Sequence, residues 1–242
     1  MLRVMLLNLG FLAIAALFLF AAYMLRGVPV FAVLALAAGL AVGSIYLVAA
    51  ALSVKTLSDY GTFGPGDFLK NIKPALCPGL LAAALIAVVV LLAAVVIPFY
   101  VRLKTIPGLF IAILLFWALA GTLLALQFFP AVCGRLEPDI KKAIKKCYIL
   151  FFDNTAFCVF SFLHNLVFLA LSVFFVLLLV PGPCGMLLFL DEGLRLRLFK
   201  YDYLEQHPGT NRRAIPWNEL LQEERETAGS RTLKSFIFPW KS

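Results

Sequence analysis

Five long stretches without a formally charged residue dominate this chain. They cover residues 4–25, 27–54, 74–101, 105–134 and 154–190. A bilayer has a hydrocarbon core about 30 Å thick, which a helix of about 20 apolar residues crosses, and every stretch reaches that length. In lipid only helices and closed barrels satisfy their own backbone, and these runs lack the alternation of barrel strands. The pattern therefore predicts an all-α, polytopic transmembrane helical bundle.

The bundle is predicted to fill residues 1–200 and to leave a cytoplasmic tail at 201–242. We expect five long spans and a short sixth one. They are placed at about 5–25, 28–53, 75–99, 107–132, 154–180 and 183–200.

Composition agrees with a membrane protein and argues against several classes of function. Hydrophobic residues make up 63% of the 242 residues and charged ones 14%, against about 25% charged in a soluble domain. The net charge of +8 comes without a basic stripe interleaved with aromatic residues on a soluble face, so no nucleic-acid partner is predicted. The five cysteines form no CxxC pair, and GxSxG, HExxH and glycine-rich phosphate motifs are missing. We therefore expect no enzyme, no cofactor and no metal site.

Lysine and arginine are distributed unevenly between the two sides of the predicted bundle. One side has the amino terminus and the second and fourth connections, and the other has the remaining turns. The richer side carries Arg3, Lys55, Lys70, Lys73, Arg135, Lys141, Lys142, Lys145 and Lys146, and the poorer side carries Arg26, Arg102 and Lys104. Because positive residues stay in the cytoplasm, the amino terminus is predicted to be cytoplasmic.

The last apolar segment has two interpretations. The carboxyl end begins with the positive residues Arg195, Arg197 and Lys200, which favours a cytoplasmic carboxyl terminus. This location requires a short sixth crossing at 183–200, with Pro181–Pro183 as the outer turn. An interfacial helix that never crosses is the alternative. Charges in a crossing are costly unless paired, and Asp191 and Arg195 have the i,i+4 spacing of a helical ion pair. The candidate polar group here is Asp191, Glu192, Arg195 and Arg197.

An internal repeat precedes the third and fifth spans. Segments 64–73 and 136–145 align at an offset of 72 residues, which pairs Asp67 with Asp139. Each Asp is placed to cap a helix, and apolar residues then follow at helical spacing. We predict two amphipathic helices on the cytoplasmic surface, whose lysines face anionic headgroups of the lipid bilayer. These lysines are Lys70, Lys73, Lys141, Lys142, Lys145 and Lys146.

Two further candidate sites stand out. His164 and Asn165 lie about ten residues into the fifth apolar stretch, where polar groups usually bond to neighbouring helices and less often carry protons or bind a substrate. In the tail, Phe236, Phe238 and Trp240 stand among basic residues. That combination is typical of a membrane anchor or a docking segment for a partner protein.

The segment LQFFPAVCGRLEPDIKKAIKKCYILFF (126–152) and the segment TFGPGDFLKNIKPALCPGLLAAAL (62–85) resemble the YesL-like family of bacterial membrane proteins, domain of unknown function 624. The resemblance runs over about residues 5–205. It implies a small bacterial inner-membrane protein of about six helices, encoded beside sugar-uptake ABC transporters, with no assigned activity and no catalytic residues. The chain departs from the pattern at 191–195, where a more apolar final helix is expected.

These observations favour a non-enzymatic accessory or scaffold protein of the inner membrane. The resemblance adds an association with carbohydrate uptake and an ABC transporter as a partner. The alternative is a small solute transporter or channel, which the repeat, His164 and the charges at 191–197 support. A polar cavity that reaches the middle of the membrane would favour the alternative, whereas an apolar bundle would favour the scaffold.

Overall fold

The computed structural model describes residues 2–174, 182–209, 211 and 215–228, and most of these residues are helical. Within those residues there is no β-strand. A 3₁₀ turn at Leu25–Gly27 and a π-helical turn at Leu92–Val96 supplement the α-helices. The α-helices are α1 Leu2–Met24, α2 Pro29–Ser58, α3 Pro65–Leu91, α4 Ile97–Arg102, α5 Ile106–Leu126, α6 Phe129–Arg135, α7 Ile140–Asp153, α8 Thr155–Phe174, α9 Gly182–Gln206, α10 Trp217–Leu220 and α11 Gln222–Ala228. The predicted all-α fold class is confirmed.

Five helical segments are long and apolar enough to cross a membrane. Their outer surfaces are rich in large apolar side chains; Trp117, for example, is 69% exposed. Exposing such a surface to water is unfavourable in free energy, whereas exposing it to lipid is not. Five segments of this length and surface make the chain a multi-pass membrane protein. The segments are Leu2–Gly27, Pro29–Ser58, Pro65–Arg102, Ile106–Arg135 and Thr155–Ser172.

The chain divides into two compact units, one ending at Leu194 and the other beginning at Arg195. In the first unit, α2 and α3 approach each other closely because small residues line their contact. A Cβ atom added to Gly79 would lie 2.5 Å from the Cα of Ile45, and Ala49 and Ala75 are fully buried beside it. Small residues let helix backbones meet in lipid, where dispersion contacts hold them together.

The two predicted surface helices differ in the structure. α7 is a separate helix, with Ala143 and Cys147 fully buried and its lysines on the other face. The first predicted surface helix, 64–73, is instead the opening of α3, which continues through Pro74. The physical reason lies 18 residues after the first residue of each segment. Asn154 leaves the helical conformation after α7, with φ −135° and ψ 47°, whereas the corresponding residue of α3 is Ala82, which favours helix.

The end of the third span shows how the helix accommodates Pro98. Proline has no N–H and its ring collides with the carbonyl four residues earlier. Directly before it, the backbone widens into a π-helical turn, in which the N–H of Ile97 donates to the carbonyl of Leu92. The span therefore continues to Arg102 with one local distortion.

Candidate functional site

Arg135 is the centre of a charged cluster in the first unit. Its Nε donates to Asp191 Oδ1 at 2.8 Å and its NH2 nitrogen to Asp191 Oδ2 at 2.5 Å. The NH1 nitrogen donates to Asp59 Oδ1 at 2.9 Å, and NH2 donates to Ser58 Oγ at 2.7 Å. The side chains of Arg135 and Asp191 are only 9% and 3% exposed, respectively. The paired, two-pronged geometry is the strong form of an arginine–carboxylate contact.

Helix ends position three of the four members of this Arg135 cluster. Arg135 is the last residue of α6, Ser58 is the last residue of α2, and Asp59 follows it as the C-cap. Asp191 lies within α9. Beside them Lys55 Nζ donates to the carbonyl oxygen of Gly134 at 3.0 Å, where the end of α6 leaves carbonyls without helical partners. The cluster therefore ties three helices together at one end of the bundle.

The cluster has little capacity left for a ligand. Four hydrogen bonds already engage the three guanidinium nitrogens of Arg135. A buried ion pair of this kind compensates for its desolvation only while both partners are present. The Arg135 cluster is therefore built to hold helices together. A polar hollow of about 520 Å³ opens beside it, with Lys55, Asp59, Lys70 and Asn71 among its lining residues.

The predicted partner of Asp191 is corrected by this geometry. The i,i+4 spacing pointed to Arg195, but Asp191 binds Arg135, which is 56 residues away in the sequence. Arg195 belongs to the second unit, where it donates to Glu224 Oε1 of α11 and lies over the ring of Phe199, 5.6 Å from its centroid. Glu192 and Arg197, the remaining predicted members, are half-buried residues of α9.

Asn8 of α1 binds the start of α9. Its Oδ1 accepts from the N–H of Cys184 at 2.8 Å, and both residues are fully buried. Such a bond matters because the first N–H groups of a helix have no partner within it and lipid offers none. Gly182 has φ +56°, and an added Cβ would lie 2.4 Å from Asn8 Nδ2, so only glycine fits.

Of the predicted outer turn at 181–183, Gly182 and Pro183 lie within the described residues. The turn was expected at the far end of the bundle, but Gly182 lies beside Asn8, within the first ten residues of α1. From Gly182 to Asp191, α9 rises only about 14 Å, which is about half of a hydrocarbon core. The predicted sixth span, 183–200, falls within α9 and is not among the five segments that meet the length and hydropathy of a span.

His164 and Asn165 lie on α8, as predicted. The imidazole of His164 stacks on Phe189 of α9, with ring centroids 3.8 Å apart and planes 17° apart, and its centroid is 4.3 Å from that of Phe168. Within the described residues four buried polar atoms of α8 have no hydrogen-bond partner. They are Ser161 Oγ, His164 Nδ1, Asn165 Oδ1 and Ser172 Oγ.

These four α8 residues share one face. Asn165 follows Ser161 by 4 residues, Ser172 follows Asn165 by 7, and His164 is 3 residues from Ser161. Helical residues at these spacings lie above one another. Ser161 and Ser172 are fully buried. We call this face the α8 stripe; it carries more hydrogen-bonding capacity than the described chain uses.

The predicted basic residues are mostly exposed. Lys73 on α3 and Lys141, Lys142 and Lys145 on α7 are exposed, and Lys70 is 3.2 Å from Asp67. Lys146 is half-buried and contacts Glu137 at 3.3 Å. The lysines of α7 therefore form an exposed cationic surface.

The apolar face of α7 is covered by protein. Tyr148 OH is 3.0 Å from Thr122 Oγ1 of α5. Burial raises the pKa of the Cys147 thiol to about 12, so this group stays protonated at neutral pH. The apolar face of α7 therefore packs on the helices of its own bundle.

The predicted docking residues of the tail, Phe236, Phe238 and Trp240, lie outside the described residues. Among the described residues no group of three or more His, Cys, Asp or Glu side chains is arranged to hold a metal ion.

Sequence reasoning missed the roles of Arg135 and Asn8. Arg135 counted only as one of the positive residues near a span, although an arginine directly after a 30-residue uncharged run is held close to the membrane. Asn8 is a polar residue inside the first predicted span, and nothing in its local sequence points to Cys184 of α9, 176 residues further along the chain.

The comparisons leave the resemblance to the YesL-like family as a prediction. No family model matches the chain, and neither a curated protein nor a solved structure matches it.

Proposed function

We propose that this protein is a non-enzymatic accessory or scaffold protein of the bacterial inner membrane. The observation that carries the proposal is the Arg135 cluster. The acidic and basic side chains best placed to gate a pathway, Arg135 and Asp191, hold α2, α6 and α9 together instead. A bundle fixed in this way suits a protein that presents a surface to a partner.

The exposed surface that suits a partner is the lysine face of α7. Lys141, Lys142 and Lys145 project from a helix whose other face is already covered, so they are free to meet lipid headgroups or an acidic protein surface. The resemblance to the YesL-like family adds carbohydrate uptake as the setting. The partner it favours is the membrane subunit of a sugar-uptake ABC transporter.

Affinity purification in mild detergent tests this function. The wild-type protein is compared with a variant in which Lys141, Lys142 and Lys145 are changed to Gln, and with a control carrying Lys70→Gln and Lys73→Gln. Recovery of an ABC transporter permease is expected with the wild type and the control, and at least about tenfold less with the α7 variant. The proposal is contradicted if all three proteins recover the same amount of permease. It is also contradicted if the wild-type protein is purified without any permease.

The proposed orientation places the amino terminus and α7 in the cytoplasm, on the ground of the excess of lysine and arginine on that side. Epitope tags inserted at 62–63 and at 137–138 test it. In intact spheroplasts both tags are expected to resist an externally added protease. Cleavage at either tag would show that the tagged loop faces the outside and would contradict the proposed orientation.

A small transporter is the second candidate, and the α8 stripe is the observation that favours it. Buried polar atoms without partners, such as Ser161 Oγ and His164 Nδ1, mark proton or solute pathways in membrane proteins. Liposomes that contain the protein and a pH-sensitive dye test this function. Proton entry that is abolished by His164→Phe supports it, and entry no faster than in protein-free liposomes removes proton transport as a function.

A further inference from the structure

The polar hollow beside the Arg135 cluster is open to the outside of the molecule. It has a volume of about 520 Å³ and lies between the end of α2, the opening of α3 and the end of α6. Two of its lining side chains, Asp67 and Lys70, are 55% and 80% exposed, respectively. Leu52 and Phe63 make another part of the wall apolar. A molecule from outside can therefore enter the hollow and meet both polar and apolar groups.

The carboxylates of the polar hollow have cationic partners, whereas one of its lysines has no anionic partner. Asp59 is bonded to the guanidinium of the cluster at 2.9 Å, and Asp67 lies 3.2 Å from Lys70. Lys55 Nζ donates to the carbonyl oxygen of Gly134 at 3.0 Å, and no carboxylate of the described chain pairs with it. Because Lys55 and Gly134 both line the hollow, this bond holds the ammonium in its wall. One positive charge is therefore left without a counter-ion.

Further hydrogen-bond donors lie in the same wall. A lysine ammonium has three N–H groups, of which Lys55 uses one on Gly134. The half-buried Asn71 gives one amide N–H to Ser53 Oγ at 3.0 Å and has a second one left. Thr56, the residue after Lys55, adds a hydroxyl. A half-buried cation with N–H and O–H donors around it is complementary to the oxygens of an anionic group such as a phosphate.

The position of the polar hollow along its helices indicates where such a phosphate comes from. Lys55 is the first charged residue after the uncharged stretch 27–54, and Lys70 and Lys73 come directly before the stretch 74–101. Charged residues at the ends of apolar spans lie at the level of the lipid headgroups, and basic pockets between helices at that level bind them. The hollow is therefore placed beside the phosphate groups of the bilayer.

We propose that the polar hollow binds the phosphate diester of a glycerophospholipid, whose oxygens accept from Lys55, Thr56 and Asn71. The single negative charge of a diester matches the one positive charge that the wall leaves uncompensated. Asp59 and Asp67, which line the same hollow, disfavour a head group with further negative charge, such as a phosphate monoester. Because the three donors come from α2 and α3, the bound lipid bridges these two helices.

Native mass spectrometry of the delipidated full-length protein in detergent tests the proposal. Dioleoyl phosphatidylethanolamine is compared with dioleoylglycerol, which has the same chains and glycerol but no phosphate. The phospholipid is expected to bind at least about tenfold more tightly, which corresponds to one charge-assisted hydrogen bond. Equal affinity overturns the role of the phosphate and leaves the hollow to an acidic protein surface. Displacement of the phospholipid by millimolar inorganic phosphate would assign the site to the free ion and overturns the lipid as its occupant.

Matched variants locate the site. Lys55→Met is expected to weaken phospholipid binding at least about tenfold, and Lys55→Arg, which keeps the charge, to preserve most of it. Lys73→Met, on the exposed part of α3 outside the wall, should leave binding unchanged. If Lys55→Met does not fold, Thr56→Glu places a carboxylate in the hollow and should have the same effect. Undiminished binding by a folded Lys55→Met or Thr56→Glu protein overturns the site, and so does an equal loss with Lys73→Met.

Discussion

Two polar groups inside the same unit are built in opposite ways. In the Arg135 cluster, Arg135 makes four hydrogen bonds to Ser58, Asp59 and Asp191. In the α8 stripe, buried atoms of Ser161 and three other residues have no partner within the described chain. A network whose hydrogen bonds are all made stabilises one arrangement of helices. Buried hydrogen-bonding groups without a partner lower the stability of the fold, so their presence needs an explanation other than stability. The comparison separates a polar network whose hydrogen bonds are made from buried polar atoms that the described residues leave without a partner.

Breaking the Arg135 cluster is expected to have the largest effect. Arg135→Met leaves Asp191 as a buried, uncompensated charge, so the free energy of unfolding should fall by about 3–5 kcal/mol. The measurement is unfolding by sodium dodecyl sulfate in mixed micelles, followed by circular dichroism. The exposed Lys73→Met is the control, with an expected change within about 0.5 kcal/mol. Similar curves for the two variants would remove the structural role of the cluster.

Gly182→Ala is expected to destabilise by about 1–3 kcal/mol. The added Cβ meets the amide of Asn8, and the backbone at φ +56° is strained for any residue but glycine. Gly121→Ala on α5 is the matched control, because nothing lies within 4 Å of its Cβ position. In the same unfolding assay the control should be neutral or more stable by up to about 1 kcal/mol. An equally stable Gly182→Ala protein would contradict the packing of α9 on α1.

A buried hydroxyl with hydrogen-bond partners and one without are expected to respond in opposite ways to the same small change. Ser161→Ala removes a buried hydroxyl that has no partner, so it should be neutral or stabilising by up to about 1 kcal/mol. Ser53→Ala removes an equally buried hydroxyl that donates to Ala49 O and accepts from Asn71 Nδ2. It should cost about 1 kcal/mol. A loss at Ser161 as large as that at Ser53 would show that the α8 stripe is satisfied after all.

The smallest expected effect concerns Cys147, whose burial tests the packing of α7 against α5. A pKa raised to about 12 leaves the thiol protonated at pH 8.5, and the side chain is inaccessible. A maleimide should therefore fail to label Cys147 in a variant that keeps no other cysteine. A cysteine introduced by Lys145→Cys, on the exposed face of the same helix, should react within minutes. Rapid labelling of Cys147 would place lipid or water against this face.

Local features of the fold could be predicted from the sequence. Asp139 was expected to cap a helix, and its Oδ1 accepts from the N–H of Lys142 at 3.1 Å. The buried face of α7, with Ala143 and Cys147, followed from helical spacing. Asp67 was expected to play the same part as Asp139, but it lies inside the first turn of α3 and accepts from the N–H of Gly64 at 3.0 Å.

The candidate site could be predicted only in part. Asp191 was singled out as a candidate polar residue, and it is buried. Its partner, Arg135, is distant in the sequence, while Arg195 offered a plausible pair on the same helix. Periodicity reports which residues share a helix face, and it carries no information on which helices meet. The contact of Asn8 with the start of α9 was hidden for the same reason.

The central claim is that Arg135 and Asp191 act as one structural pair, and a double-mutant cycle measures this most directly. Unfolding free energies are determined for the wild type, Arg135→Met, Asp191→Leu and the double variant. We expect each single change to cost several kcal/mol and the double variant to recover at least about 2 kcal/mol of their sum, because it leaves no buried charge unpaired. Additive losses, with no coupling between the two positions, would contradict the account.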